Sequence, residues 1–115
     1  MKRYQPTEAQ EQAVVVEWAK MRRLPLFHIP NGGSRDVREA RNLKLQGVRA
    51  GVPDLFLPMA SQGYHGLFIE MKRERGGTVT QAQREWLDLL ERNGYRAAVC
   101  RGAQAAISEI RGYLG

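Results

Sequence analysis

Hydrophobic and polar positions along this chain follow two periods, and the switches between them mark its elements. Thr7-Glu8-Ala9-Gln10 is a capping box, in which the Thr7 hydroxyl accepts from the Gln10 amide and the Gln10 side chain reaches back. It opens a helix over about Glu8 to Arg22, with Val14, Val15 and Trp18 on one face. Leu24 to Ile29 reads as a short strand stopped by Pro30, and Asn31-Gly32-Gly33 as a turn. Ser34 is placed to cap a second helix over about Arg35 to Gln46, with Gly47 as its left-handed terminator. A glycine-containing approach, Val48 to Val52, leads into Pro53-Asp54 and a strand from Leu55 to Pro58. After a turn over Ser61 to Gly66, Leu67 to Lys72 forms another strand. It is apolar on both faces at its start, the pattern of a central strand covered on two sides. A charged loop, Arg73 to Val79, precedes a second capping box, Thr80-Gln81-Ala82-Gln83. The helix it opens carries Trp86, Leu87, Leu89 and Leu90 and ends at Asn93-Gly94. Tyr95 to Cys100 is a strand, and Gly102 to Leu114 a helix with Ala106, Ile107, Ile110 and Leu114 inward. The order α-β-α-β-β-α-β-α predicts an α/β fold with one mixed sheet flanked by helices.

Length sets the scale of that fold. The 115 residues fit a single domain, 1–115, large enough to bury a core without disulfides or a structural metal. Charge changes the picture more. Eighteen Lys and Arg against 12 Asp and Glu give +6 and a pI near 10.0. Such a balance points to a polyanionic partner, nucleic acid first, although a merely basic surface gives the same figure. Cys100 stands alone, which excludes an internal disulfide and a cysteine-rich zinc site, and fits a reducing cytoplasm. No run approaches the ~18 apolar residues of a membrane span. Behind the charges of Met1 to Pro6 comes no apolar stretch of the kind a signal peptide needs.

The chemistry concentrates in Asp54, Glu70 and Lys72. Glu70 and Lys72 are two apart on a strand, so both leave the same face about 6–7 Å apart, while Leu67, Ile69 and Met71 line the other. An acid ending an apolar strand is costly to bury without a partner. A hairpin would set Asp54, which starts the preceding strand, beside the end of its neighbour. Two carboxylates converging with a lysine repel unless a divalent cation joins them, and hard oxygen ligands suit Mg2+ or Mn2+. The set has a use in phosphodiester hydrolysis, which calls for a polarised phosphate and an acidified water. Asp54 and Glu70 would be metal ligands, the Met71 backbone carbonyl would complete the coordination, and Lys72 would orient the water and offset charge on the phosphorane. The alternative is a surface Glu70–Lys72 ion pair with Asp54 as a turn residue.

Pro53-Asp54, a strand, a turn and a strand ending Glu70-Met71-Lys72 resembles the Pro-Asp…(Asp/Glu)-x-Lys core of restriction-endonuclease-like enzymes. A longer resemblance is to the virus-type replication-repair nuclease (VRR-NUC) family. It runs through Phe27-His28-Ile29-Pro30-Asn31-Gly32-Gly33-Ser34-Arg35, Gly47-Val48-Arg49-Ala50-Gly51-Val52-Pro53-Asp54-Leu55 and Gly66 to Lys72. Thr80-x-x-Gln83-x-x-Trp86, Gly94-Tyr95 and Tyr113-Leu114 continue it. The resemblance implies a metal-dependent nuclease fold acting on branched or structured DNA. It also implies kinship with small stand-alone phage members that are dimeric and associated with four-way junctions. This fold takes one further acid from the first helix. On a helical wheel Val14, Val15 and Trp18 lie within about 60° of Glu11, so Glu11 is expected at the metal, directly or through water, with Glu8 as the alternative.

Arg35, Arg38, Arg41, Lys44 and Arg49 place cations in and around one helix, either as a solvated face or as a phosphate-tracking surface. With the family resemblance, the Asn31 and Gly32 region is read as contacting DNA or the active site rather than as a simple turn. Gln83 completes a capping box and also matches the family's glutamine, which implies a role beside Lys72. His28 is read as a strand residue near the site and His65 as a turn residue, neither a metal ligand. Trp18 and Trp86 are read as core packing rather than base-stacking platforms, and Cys100 as a buried thiol. The whole predicts an Mg2+- or Mn2+-dependent endonuclease of branched DNA, foremost a homodimeric four-way-junction resolvase in the cytoplasm of a bacterial or phage-infected cell. A monomeric flap endonuclease or nickase is the alternative enzyme, and a non-catalytic branched-DNA-binding module the alternative of another class.

Overall fold

The computed structural model describes residues 4–31 and 36–115. Helix α1 (Glu8–Met21) is followed by strand β1 (Phe27–His28), helix α2 (Val37–Leu45), and strands β2 (Leu55–Leu57) and β3 (Leu67–Lys72). Helix α3 (Gln81–Arg92), strand β4 (Arg96–Arg101) and helix α4 (Ala103–Leu114) complete the chain. The sheet order is β1-β2-β3-β4, with the first two pairings antiparallel and β3–β4 parallel. A parallel pair needs a crossover connection, and α3 supplies it. The α/β architecture with one mixed, helix-flanked sheet is therefore the one the pattern predicts.

Both capping boxes form. Thr7 Oγ1 accepts from Gln10 N–H and Thr80 Oγ1 from Gln83 N–H, each glutamine returning its side chain to the cap backbone. α1 and α4 pack together over one face of the sheet. There Val15, Ala106, Ile110 and Tyr113 meet Leu55, Leu57, Leu67, Ile69 and Met71. The alternate residues of the same strands make an aromatic row on the opposite face. Phe56 stacks on Phe68 with centroids 4.2 Å apart, and Phe27 and Tyr95 meet it edge-on.

The local differences from the sequence reading have physical causes. β1 keeps only two residues, because Pro25 and Pro30 flank the short stretch that pairs with β2. α2 begins at Val37, with Asp36 as its cap accepting from Arg38 N–H, two residues later than the Ser34 start. Gly32, Ser34 and Arg35 lie outside the described residues. On α1 the buried stripe is Glu11, Val15 and Ala19 at four-residue spacing, and Val14 is 53% exposed. No residue of α2 is buried. No helix among the described residues is long and apolar enough to cross a membrane.

Candidate active site

Asp54 is fixed from three sides at the entry to β2. Its backbone carbonyl accepts from Ile29 N–H at 2.7 Å and lies 2.8 Å from His28 Nδ1, a contact made by the Nδ1–H tautomer. Its Oδ2 accepts from Met71 N–H at 2.7 Å. Leu55 pairs with Ile69 in the antiparallel register, so one residue further the register sets Asp54 opposite Glu70. Hairpin geometry thus brings together the two carboxylates that the sequence separates by a strand, a turn and a strand.

Glu70 and Lys72 are not a surface pair. Their side chains are 3% and 8% exposed, with Lys72 Nζ 3.9 Å from Glu70 Oε2. Gln83 links the second capping box to this pair. Its Oε1 accepts from Thr80 N–H at 2.9 Å, which orients the amide so that Nε2 donates to Glu70 Oε2 at 3.0 Å. One amide group thus both caps α3 and reaches the Glu70–Lys72 pair, through Glu70 rather than Lys72. Burial, then the charge and hydrogen bond of Asp54, push the Glu70 carboxyl from 4.5 up to about 8, with Lys72 opposing and Glu8 adding to the rise. A buried acid facing a second carboxylate favours a countercharge beside it.

Glu11 lies on the buried stripe of α1, the feature that singled it out, but it faces a different partner there. Its Oε1 accepts from Ala103 N–H at 3.2 Å. Gly102, the N-cap of α4, has no side chain to do this, and Glu11 takes the capping role from another element. The acid of α1 whose charge reaches Glu70 is Glu8. A Cβ built on Gly77 would stand 3.8 Å from Glu8 Oε2 and 4.0 Å from Lys72 Cδ, so these two side chains flank the same glycine. Of the two α1 acids, Glu11 thus has a capping partner on α4, and Glu8 is the one near Lys72 whose charge acts on Glu70.

A VRR-NUC domain model matches residues 2–104. The chain belongs to the VRR-NUC family. A solved structure described as a VRR_NUC domain protein is similar over 97% of this chain and 93% of its own, at 35% identity and a TM-score of 0.83. No curated protein matches the chain. Family membership makes this a nuclease domain acting on DNA, within a family that generally uses divalent metals.

The donor set of this VRR-NUC domain fits such a metal in kind. Asp54, Glu70 and the Met71 carbonyl are all oxygen donors, and Glu8 is a further oxygen acid close by. Among the described residues no three His, Cys, Asp or Glu side chains are gathered tightly enough to hold a metal by themselves. The acid pair therefore needs the backbone carbonyl or water to complete a shell. The cations divide. Arg38 and Arg41 line a cavity on α2 with Asp36 and Val37, and Lys44 follows them on the same exposed helix. Arg49 stands apart from them, over the Trp86 ring at 5.2 Å. Asn31 donates through Nδ2 to Val52 O, which ties the segment after β1 to the loop entering Asp54.

Trp18 packs against the core as expected, with Arg22 and Arg111 over its ring. Trp86 does not: it is half-buried and the core is built without it. His65 contacts Tyr95 edge-on from the turn before β3. Cys100 is buried and its thiol is pushed up to about 12 by burial, which makes it unreactive. The His28 contact to the Asp54 carbonyl had no pattern of its own in the sequence.

Proposed function

We propose that this domain is a divalent-metal-dependent endodeoxyribonuclease that hydrolyses phosphodiesters of branched DNA, with the four-way junction as its leading substrate. The observation that carries the reading is Glu70, an almost fully buried acid facing Asp54 across a hairpin and held by Gln83 and Lys72. Asp54 and Glu70 would hold the metal, with the Met71 carbonyl and with Glu8 directly or through water. A bound Mg2+ or Mn2+ supplies polarisation of the phosphate and acidification of the attacking water. Lys72 places its ammonium beside the same carboxylates, where it orients the water and offsets negative charge as phosphorus becomes five-coordinate. Gln83 keeps Glu70 in one rotamer, and Met71 N–H does the same for Asp54. Arg38, Arg41 and Lys44 supply a cationic surface for the DNA backbone, and Asn31, Gly32 and Arg35 belong to the segment leading into it.

A pure binding module does not suit these residues, since Asp54 and the buried Glu70 together would repel phosphate unless a metal cation joined them. Resolution of a four-way junction takes two symmetric cuts, and one such site cuts one strand. A C2 homodimer supplies the pair, acting in the cytoplasm of a bacterial or phage-infected cell. The test is purified protein with Mg2+ or Mn2+ on labelled four-way junction, flap, splayed and linear duplex DNA, alongside its mass in solution. Paired, symmetric incisions in the junction by a dimer support the reading. Single incisions in flaps by a monomer replace the resolvase with a flap nuclease.

A further inference from the structure

Trp86 sits on α3 one helical turn beyond Gln83, outside the core, and the Arg49 guanidinium lies 5.2 Å from its ring centre. Two cavities meet at this pair. One, of about 500 Å3, is also lined by Glu85, Leu89 and Arg92; the other, of about 380 Å3, reaches Asn31. Both are of the size that takes one small planar group. The lining mixes an aromatic face with cations, and Glu85 is the one acid among the lining residues described.

The walls of this cleft lead directly to the catalytic carboxylates. One wall is α3, whose Gln83 holds Glu70. The other is the loop that runs from Arg49 into Asp54. Gly51 locks the two walls together: at φ +92° it approaches α3 so closely that a Cβ there would lie 2.7 Å from the Ala82 backbone. A group seated on Trp86 is thereby held in fixed relation to the site.

We propose that Arg49 and Trp86 form a stacking platform for one unpaired base of the DNA substrate, next to the phosphate to be cut. This rests on the nuclease reading for the identity of the ligand and goes beyond it in assigning a site and a structural preference. Every base has a π-face, so an indole selects unpaired nucleotides without reading sequence. The Arg49 guanidinium adds its charge beside the same ring, and Arg92 at the cleft edge meets the backbone charge. A fully paired duplex offers no free base to such a platform. A branch point, where bases unstack readily, does.

The test is equilibrium binding in EDTA, where no cleavage occurs. Two flap DNAs are compared, identical except that one carries abasic residues at the unpaired positions beside the branch. Wild-type protein is expected to bind the base-containing DNA about 10-fold more tightly. Trp86→Leu, which keeps apolar bulk without a π-face, should bind both DNAs equally and at the abasic level. Trp86→Phe should retain most of the preference. Arg49→Gln, on an exposed loop outside the core, should reduce the preference in part and serves should Trp86→Leu fold poorly. Equal weakening of both DNAs by Trp86→Leu, or a wild type that does not distinguish them, overturns the platform. Loss of metal-dependent cleavage by wild type would instead overturn the nuclease reading, and it is measured separately.

Discussion

Glu11 closes the N-terminus of α4: its Oε1 accepts the Ala103 N–H at 3.2 Å, 92 residues away along the chain. A carboxylate at the positive end of a helix, 8% exposed and hydrogen-bonded, is satisfied where it stands. Glu8 is exposed on the same helix, yet its charge acts on Glu70.

The two acids therefore separate by experiment. Glu8→Gln should lower single-turnover cleavage about tenfold or more at limiting Mg2+, with the melting temperature unchanged. Glu11→Gln keeps a carbonyl oxygen for Ala103 and should cleave at close to the wild-type rate. Glu11→Ala removes the cap and should cost about 1 kcal/mol of stability. The reverse ordering, with cleavage lost in Glu11→Gln and kept in Glu8→Gln, would assign the site role to Glu11.

Gln83 offers a change that spares one of its roles. Glutamate serves as well as glutamine at the third position of a capping box. Gln83→Glu should therefore keep α3 capped while replacing the donor to Glu70 with a second acid. The expected outcome is an unchanged circular dichroism spectrum and a severe loss of cleavage. A variant that cleaves like wild type would show that the contact does not position Glu70.

Glu70 also makes stability depend on pH in a stated direction. Its pKa is raised from 4.5 to about 8 in the folded metal-free chain. Between those values the folded state keeps a proton that the unfolded chain has lost. The contribution is thus intact below pH 4.5 and falls as pH rises towards 8, by on the order of a few kcal/mol in total. The melting temperature of wild type minus that of Glu70→Gln should fall from pH 5 to pH 8 in EDTA. A difference that rises with pH would mean that Glu70 is stabilised as an anion.

The exposed face of α2 gives a salt signature. Replacing Arg38, Arg41 and Lys44 with Gln should flatten the log–log salt dependence of junction binding, by roughly 0.9 per lost phosphate contact. The metal requirement of cleavage should stay the same. An unchanged slope would mean that the helix faces solvent or a partner and that the DNA lies elsewhere.

Asp54, Glu70 and Lys72 were legible in the sequence because strand alternation and a short hairpin leave little freedom. Register then sets Asp54 opposite Glu70. The capping partner of Glu11 on α4 is not legible in the sequence. A helical wheel reports which residues are buried, and Glu11 is, but it carries no information on a partner distant in sequence. The surroundings of Trp86 are not legible for a related reason. Trp86 shares an apolar stripe with Leu87 and Leu90, yet α3 buries none of its residues fully, and the ring meets Arg49 from a loop. The cap of α2 shifted from Ser34 to Asp36 because both residues can accept from a helix N–H, and local sequence alone does not choose between them.

The measurement closest to the central claim is single-turnover cleavage of a labelled four-way junction by wild type and by Glu70→Gln, with Mg2+ or Mn2+ and with EDTA. Wild type should cut only with metal, and Glu70→Gln should bind the junction yet fail to cut it. Full turnover by Glu70→Gln with Mg2+, or wild-type cutting in EDTA, would contradict a metal site built on Asp54 and Glu70.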